Sequence, residues 1–427
     1  MTRLLYSLAW IVATPFVLVR LAWRARRQPG YLHRLGERFG RYRPRLPGPY
    51  IWVHAVSVGE TRAASPLVDA LQARYPGHRI LITHMTPTGR ATSREIFGDR
   101  VERAWLPYDM GFAVRRFLEH YRPAFGIVLE TEIWPRLLEE AAKQAIPVVL
   151  ANGRLSERSR SRYARVPALT RWSFANLRGV AAQTEADAMR FRAIGARDPA
   201  VLGNVKFDLT VPPQMVERGA QFRERFGPTR SVWVAGSTRE GEEALLLDAF
   251  AFAGEDALLV IVPRHPQRFD DVARLAESRG FAVARRSAEE AVPRDARVVI
   301  GDSMGEMFAY YAAGDVVIMG GSLLEFGGQN LIEACALGRP VIVGPHTYNF
   351  SEASKSAIAA GAAVRVRDAR EALAAAAAIS GDAVRREAMG ARALEFVAAH
   401  RGAVARLMQW IEATTRVAPA EGGKSPG

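Results

Sequence analysis

Ten short apolar runs, rich in aliphatic and β-branched residues, recur along this chain in two series, with longer helix-like stretches between them. The first series covers residues 50–56, 79–83, 125–129, 147–151 and 179–182; the second covers 231–235, 258–262, 298–300, 316–319 and 340–343. Runs this short and continuous are strands buried on both faces, and helices between them place them in parallel sheets. A polar, proline-containing stretch over residues 208–228 interrupts the pattern and reads as a linker. The expected fold is α/β, with Rossmann-like domains over residues 28–207 and 229–416, the second ending in helices. A chain of 427 residues can give each domain its own core. Ligands of open α/β sheets bind outside the carboxyl ends of the strands, so the chemistry is expected in the loops there, in a cleft between the domains. Residues 417–427 read as a disordered tail.

Ahead of the first domain, residues 4–19 carry no charge, and Leu21, Ala22 and Trp23 extend the apolar run past Arg20. Arg24, Arg26, Arg27, Arg34, Arg38, Arg41, Arg43 and Arg45 follow, against the single acid Glu37. Residues 1–27 therefore read as a membrane anchor whose basic flank, by the positive-inside rule, keeps the body on the cytoplasmic side. A cleaved signal peptide would need a small-residue cleavage site where this chain has Leu-Ala-Trp-Arg-Ala-Arg-Arg. The run is marginal in length and contains Pro15, so a short span and a helix lying in the interface both fit.

The net charge of +14 comes from arginine, since Lys143, Lys206, Lys355 and Lys424 are the only lysines among 58 basic residues. Anionic partners are implied. No zinc spacing, RNA-binding aromatic signature or DNA-reading helix pattern supports nucleic acid, which leaves anionic lipid and a phosphorylated substrate. Cys335, the single cysteine, excludes an intramolecular disulfide and lies in an apolar run suited to a buried thiol.

Three segments of the first domain follow strands. In HAVSVGE, residues 54–60, Glu60 arrives just after Gly59 and can act as a general base on a sugar hydroxyl. Ser57 and Glu60 also form a Ser-x-x-Glu capping box, although Pro66 would sit inside a helix begun at Ser57. ETEIWP, residues 130–135, presents Glu130 and Glu132 at a strand end, where they can bind sugar hydroxyls, hold a cation or favour the next helix's N-terminus. NGRLSERS, residues 152–159, offers Asn152 with Arg154 and Arg158, the arginines suited to substrate phosphates.

In the second domain, AGSTREGEE (residues 235–243) opens a helix after a strand, and backbone N–H groups near Ser237 and Thr238 can receive a phosphate; a tight turn explains the glycine equally well. PRHP, residues 263–266, brackets Arg264 and His265 between prolines. GGSLLEFGGQNLIEACALGRP, residues 320–340, carries Gly321, Ser322, Asn330 and Glu333, with Glu325 eight positions before Glu333 so that the second acid can meet ribose hydroxyls. Asn330 and Glu333 also make a helix start. No Asp-x-Asp pair, Walker loop or G-x-G-x-x-G fingerprint occurs, which points to a metal-independent reaction without a cofactor.

Taken in order, HAVSVGE, TEIWP, NGRLSER, GNVKFD, GSTREGEE, PRHP, GDSMGE, GGSL, GGQN and GPHTYNF resemble the Kdo transferases of lipopolysaccharide biosynthesis over nearly the whole chain. The resemblance implies a glycosyltransferase-B fold, an N-terminal segment in the inner membrane, CMP-Kdo as donor substrate and a lipid A precursor as acceptor. It assigns Glu60 as catalytic base and Glu130 and Glu132, with Asn152 and Arg154, to the acceptor side. Ser237, Thr238, Arg264, His265, Gly321, Ser322, Asn330 and Glu333 fall on the donor side. The chain departs from the pattern at Gln329, where the family commonly has histidine, and at Arg136, where it commonly has asparagine. A same-fold transferase using a UDP-sugar on another lipid, and a non-catalytic binder of anionic lipid or nucleic acid, are the competing readings.

Overall fold

All ten apolar runs form parallel strands in a computed structural model that describes residues 2–26, 28–254 and 256–417. The first sheet contains β1 (Tyr50–His54), β2 (Arg79–His84), β3 (Val101–Trp105), β4 (Pro123–Leu129), β5 (Val148–Gly153), β6 (Gly179–Ala182) and β7 (Ala200–Val201), in the order β3-β2-β1-β4-β5-β6-β7. The second contains β8 (Ser231–Thr238), β9 (Ala257–Pro263), β10 (Val283–Arg285), β11 (Val298–Ile300), β12 (Val316–Met319), β13 (Val341–Val343) and β14 (Ala363–Arg365), in the order β10-β11-β9-β8-β12-β13-β14. The strand order reverses between β1 and β4, and again between β8 and β12. At such reversals the connecting helices leave on opposite faces, opening a crevice at the carboxyl ends.

The strands absent from the apolar pattern are β3, β7, β10 and β14, the four sheet edges. An edge strand is covered less, so it tolerates Glu102 and Arg103 in β3, Arg285 in β10 and Arg365 in β14. Central strands alternate between two covered faces. In β1, Ile51 and Val53 join Leu67, Leu71 and Ile127 on one side, whereas Tyr50 and Trp52 join Phe117, Val128 and Leu137 on the other.

The division into units corrects two boundaries. Residues 208–228 are not an open linker: Pro213–Phe226 is a helix, begun by proline at its first turn, whose Gly219, Phe222 and Phe226 are buried. Phe222 packs 5.1 Å from Tyr310 of helix Met307–Ala313 within the second unit. The second unit ends at His400, and residues 401–416, read above as part of the second domain, belong to the first unit. The Asp208 carboxylate accepts from the backbone N–H groups of Gly402 and Val404, both at 2.5 Å, and so caps helix Ala403–Thr415. Leu407 and Ile411 of that helix enter the first unit's core, and Arg74 pairs with Glu412 at 2.6 Å. Of the tail read as disordered, residues 418–427 lie outside the described residues.

The apolar N-terminal segment is one helix, Thr2–Ala25, long and apolar enough to cross a membrane by length and composition. It lies against the first unit. Tyr6, Ser7, Trp10, Thr14, Leu21 and Ala25 fall on its covered side, with Leu21 and Ala25 packed on Tyr31 and Leu35. Leu4, Ile11, Val12, Phe16, Val19 and Trp23 are exposed, Phe16 at 73%. The apolar face therefore points outward, the reverse of a surface helix on a soluble core.

Candidate active site

The turn after β1 forms the capping box expected at Ser57 and Glu60. The Ser57 side chain accepts from the Glu60 N–H (3.4 Å), the Ser57 hydroxyl donates to Glu60 Oε1 (3.0 Å), and the Val56 N–H donates to Glu60 Oε2 (2.7 Å). The capping box forms, and the helix it starts, Val58–Ala63, stops before Pro66, which opens a second helix, Ser65–Arg74. Capping leaves the carboxylate partly buried beside two further acids. Burial, then the charge of Glu130 and to a lesser degree Glu132, push the Glu60 carboxyl up to about 7, against the pull of the Val56 and Ser57 hydrogen bonds.

Those acids come from the end of β4, the other side of the first sheet's reversal. Glu130 sits in the left-handed region, φ 58°, with its N–H on Ala151 O at 3.0 Å. Its side chain takes a 2.7 Å ion pair from Lys206 Nζ. Burial first, then Glu130, raises the Glu132 carboxyl above the usual carboxylate range. Asn152, also left-handed at φ 52°, is buried, and its Oδ1 accepts from the Val205 N–H at 3.2 Å. Asn152 thereby holds the segment that presents Lys206 to Glu130, and acts on the acids through that lysine. The Arg154 carbonyl accepts from the Thr131 hydroxyl, tying the two loops. Lys206 lies within GNVKFD, where a lysine in a chain of arginines is the one local signal of its place.

In the second unit the loops after β8 and β12 meet at the second reversal. Gly320 permits the meeting, since a Cβ there would lie 2.4 Å from Ser237 O. Ser237 is itself left-handed, φ 57°. Glu242, fully buried, ties the loops: Oε2 accepts from the N–H groups of Arg239 (2.8 Å) and Gly321 (2.6 Å), and Oε1 from that of Leu323 (2.9 Å). The Thr238 hydroxyl donates to Glu243 (2.8 Å), and the Ser322 hydroxyl donates to Met319 O and accepts from the Gly344 N–H (2.8 Å). Thr238, Gly321 and Ser322 thus use these groups to shape the turn. Arg264 follows β9, its N–H on Thr238 O at 2.9 Å. Burial and the neighbouring Arg239, Arg264 and Arg268 push the His265 imidazole below its ordinary range, which marks a cationic cluster. Asn330 caps the short helix Leu331–Cys335 through the Ile332 N–H, and its Nδ2 donates to Glu333 Oε1 at 3.0 Å, the helix start expected at that segment. Glu242, Arg239 and Arg268 were missed; the GEE that follows the turn reads as helix-start acid, and only the fold shows Glu242 turned inward.

Two parallel seven-stranded α/β sheets, each with a strand reversal, are the arrangement of the GT-B fold. The description "3-Deoxy-D-manno-octulosonic-acid transferase (kdotransferase)" matches residues 33–209. The 3-deoxy-D-manno-octulosonic acid transferase of Bordetella pertussis is 43% identical over 96% of this chain and 99% of its own length. That of Haemophilus influenzae is 36% identical over 96% and 98%. The chain therefore belongs to the 3-deoxy-D-manno-octulosonic acid (Kdo) transferase family, glycosyltransferases of lipopolysaccharide synthesis. The crystal structure of Anabaena Alr3699/HepE in complex with UDP, 13% identical, covers 86% of this chain and 100% of its own with a TM-score of 0.60, a likeness of fold.

Proposed function

We propose that the protein transfers Kdo from CMP-Kdo to a hydroxyl of a lipid A precursor, a tetraacylated glucosamine disaccharide bisphosphate, with Glu60 as general base. The observation that carries this reading is a carboxyl held near neutrality, pushed up to about 7, at the carboxyl-end reversal of a parallel sheet. Glu60 takes the acceptor's proton as its oxygen forms a bond to the anomeric carbon of Kdo; the bond from that carbon to the CMP phosphate oxygen breaks, and its electron pair leaves with CMP. The cations Arg239, Arg264 and Arg268 suit the departing phosphate. Glu333 suits the ribose. Mass measurement of the lipid after incubation of the purified protein with CMP-Kdo tests the reading: a gain of Kdo is expected, and no gain with CMP-Kdo but a gain with a UDP-sugar would replace the donor.

The reaction needs no metal. The sequence lacks an Asp-x-Asp pair, and the Lys206 ammonium, 2.7 Å from Glu130, already sits where a cation would neutralise that acid. Transfer is expected to persist in excess EDTA. A loss of turnover that magnesium restores would make Glu130 and Glu132 metal ligands instead.

The outward apolar face of helix Thr2–Ala25 and the arginines behind it support a location on the cytoplasmic face of the inner membrane. Lying along its unit, the helix enters the interface sideways, and the basic flank adds attraction to anionic lipid. The lipid phosphates of the acceptor suit the first unit's arginines, Arg154 among them.

A further inference from the structure

The first turns of the N-terminal helix grip the helix on which the acidic loop ends. Residues 130–134 join Leu129, fixed at the end of β4, to helix Pro135–Lys143. Where that helix starts decides the path left to Glu130 and Glu132. Its start is set by Asp109, 1% exposed, which accepts from the N–H groups of Arg136 (2.9 Å) and Leu137 (2.8 Å). The same carboxylate accepts from the Tyr6 hydroxyl at 2.7 Å. Arg136 donates to Ser7 Oγ (3.2 Å) and to the Arg3 carbonyl (3.0 Å), and pairs with Glu139 at 2.8 Å. Arg3 closes the ring on Glu139 at 2.9 Å. A segment that served only as a tether would need none of these partners.

We infer that Tyr6, Asp109 and Arg136 are positioning residues through which the seated N-terminal helix fixes the acidic loop beside Glu60 and so sets the rate of sugar transfer. The inference rests on the reading that Glu60, Glu130 and Glu132 form the reacting end. It makes the helix that meets lipid part of the machinery that acts on lipid: unseating it slows chemistry even where the acceptor is already in solution.

The test uses full-length Tyr6→Phe, Arg136→Asn and Asp109→Asn proteins with CMP-Kdo and a detergent-dispersed lipid A precursor, beside Glu60→Gln. Expected is a fall in kcat of about 10-fold for each seat variant with the KM for CMP-Kdo unchanged, because displacing catalytic groups by an ångström costs rate rather than donor binding. The acid limb of the pH–rate profile should also move down, as burial, the larger cause of the raised Glu60 carboxyl, remains while the added push of the Glu130 and Glu132 charges is displaced. A general loss of folding would shift neither the limb nor the kcat of the folded fraction. Should Asp109→Asn fail to fold, the two milder variants decide. Normal kcat and an unmoved limb in Tyr6→Phe and Arg136→Asn, with Glu60→Gln inactive, would sink this inference alone; an active Glu60→Gln would take down the reading beneath it as well.

Discussion

Glu60→Gln is expected to lower turnover by about 100-fold or more while the protein stays folded. Glutamine keeps an amide oxygen for the Val56 N–H and serves at the same capping position, so the turn after β1 survives. It cannot take a proton. Near-normal turnover would show that the capping box is all Glu60 provides. The pH profile supplies a second reading of the same carboxyl. As a base it works ionised, so the rate in the parent protein should climb as pH rises through about 7, two to three units above an ordinary glutamate. Stability should move the opposite way. A carboxyl whose folded pKa is about 7 against an unfolded value near 4.5 binds more protons folded than unfolded between those values, so its contribution falls as pH rises across that window. The Gln variant, which carries no charge for burial to penalise, should therefore match or exceed the parent in thermal stability at pH 8 while losing turnover. Lower stability at that pH would show that the ionised form is better held than its surroundings indicate.

How far the sequence reached depended on whether a residue's role is local. The ten central strands were legible because burial on both faces demands an unbroken apolar run, whereas β3, β7, β10 and β14 lie at edges where charge is tolerated. Helix Pro213–Phe226 passed for a linker because its prolines and charges dominate its composition, although Gly219, Phe222 and Phe226 recur on one stripe. The return of residues 401–416 to the first unit follows from Asp208 capping a helix 194 residues further on, and no local pattern encodes that partner. The site divides similarly. The positions of Glu60, Glu130, Glu132 and Arg264 were legible because each follows an apolar run that forms a strand, and strand ends are where such sheets bind. Lys206 and Glu242 were passed over because their roles are contacts: one across 76 positions to Glu130, the other across 79 to the Gly321 N–H. Thr238 and Ser322 stand at the predicted place, with hydroxyls given to the turn itself.

Glu242 carries the second large effect, this time in the second unit. Its two oxygens satisfy three backbone N–H groups, those of Arg239, Gly321 and Leu323, in a fully buried position, and burial raises its carboxyl above the ordinary range against those same bonds. Glutamine is nearly isosteric but offers one accepting oxygen and an NH2 group. In one orientation it turns the NH2 toward the Leu323 N–H; in the other it faces those of Arg239 and Gly321. The first orientation leaves one buried donor without a partner, at a cost of about 1–3 kcal/mol, so Glu242→Gln should lose about 1–3 kcal/mol of stability in chemical denaturation, and Glu242→Ala, which strips all three, more. The loss should also reach the donor. The loops after β8 and β12 approach closely enough that Gly320 has no room for a side chain, and Glu242 is what bridges them. Once that bridge is broken, Ser237, left-handed at φ 57°, loses the support that keeps it in a costly conformation, and the turn proposed to receive the CMP phosphate opens. The KM for CMP-Kdo should rise by about 10-fold or more, as pre-organised backbone gives way to a loop that must order on binding. Acceptor KM should hold, since the groups proposed to meet the acceptor belong to the other unit. A Glu242→Gln protein with stability within about 0.5 kcal/mol of the parent and an unchanged donor KM would mean that the two loops are held by their own packing and that the buried carboxylate is dispensable.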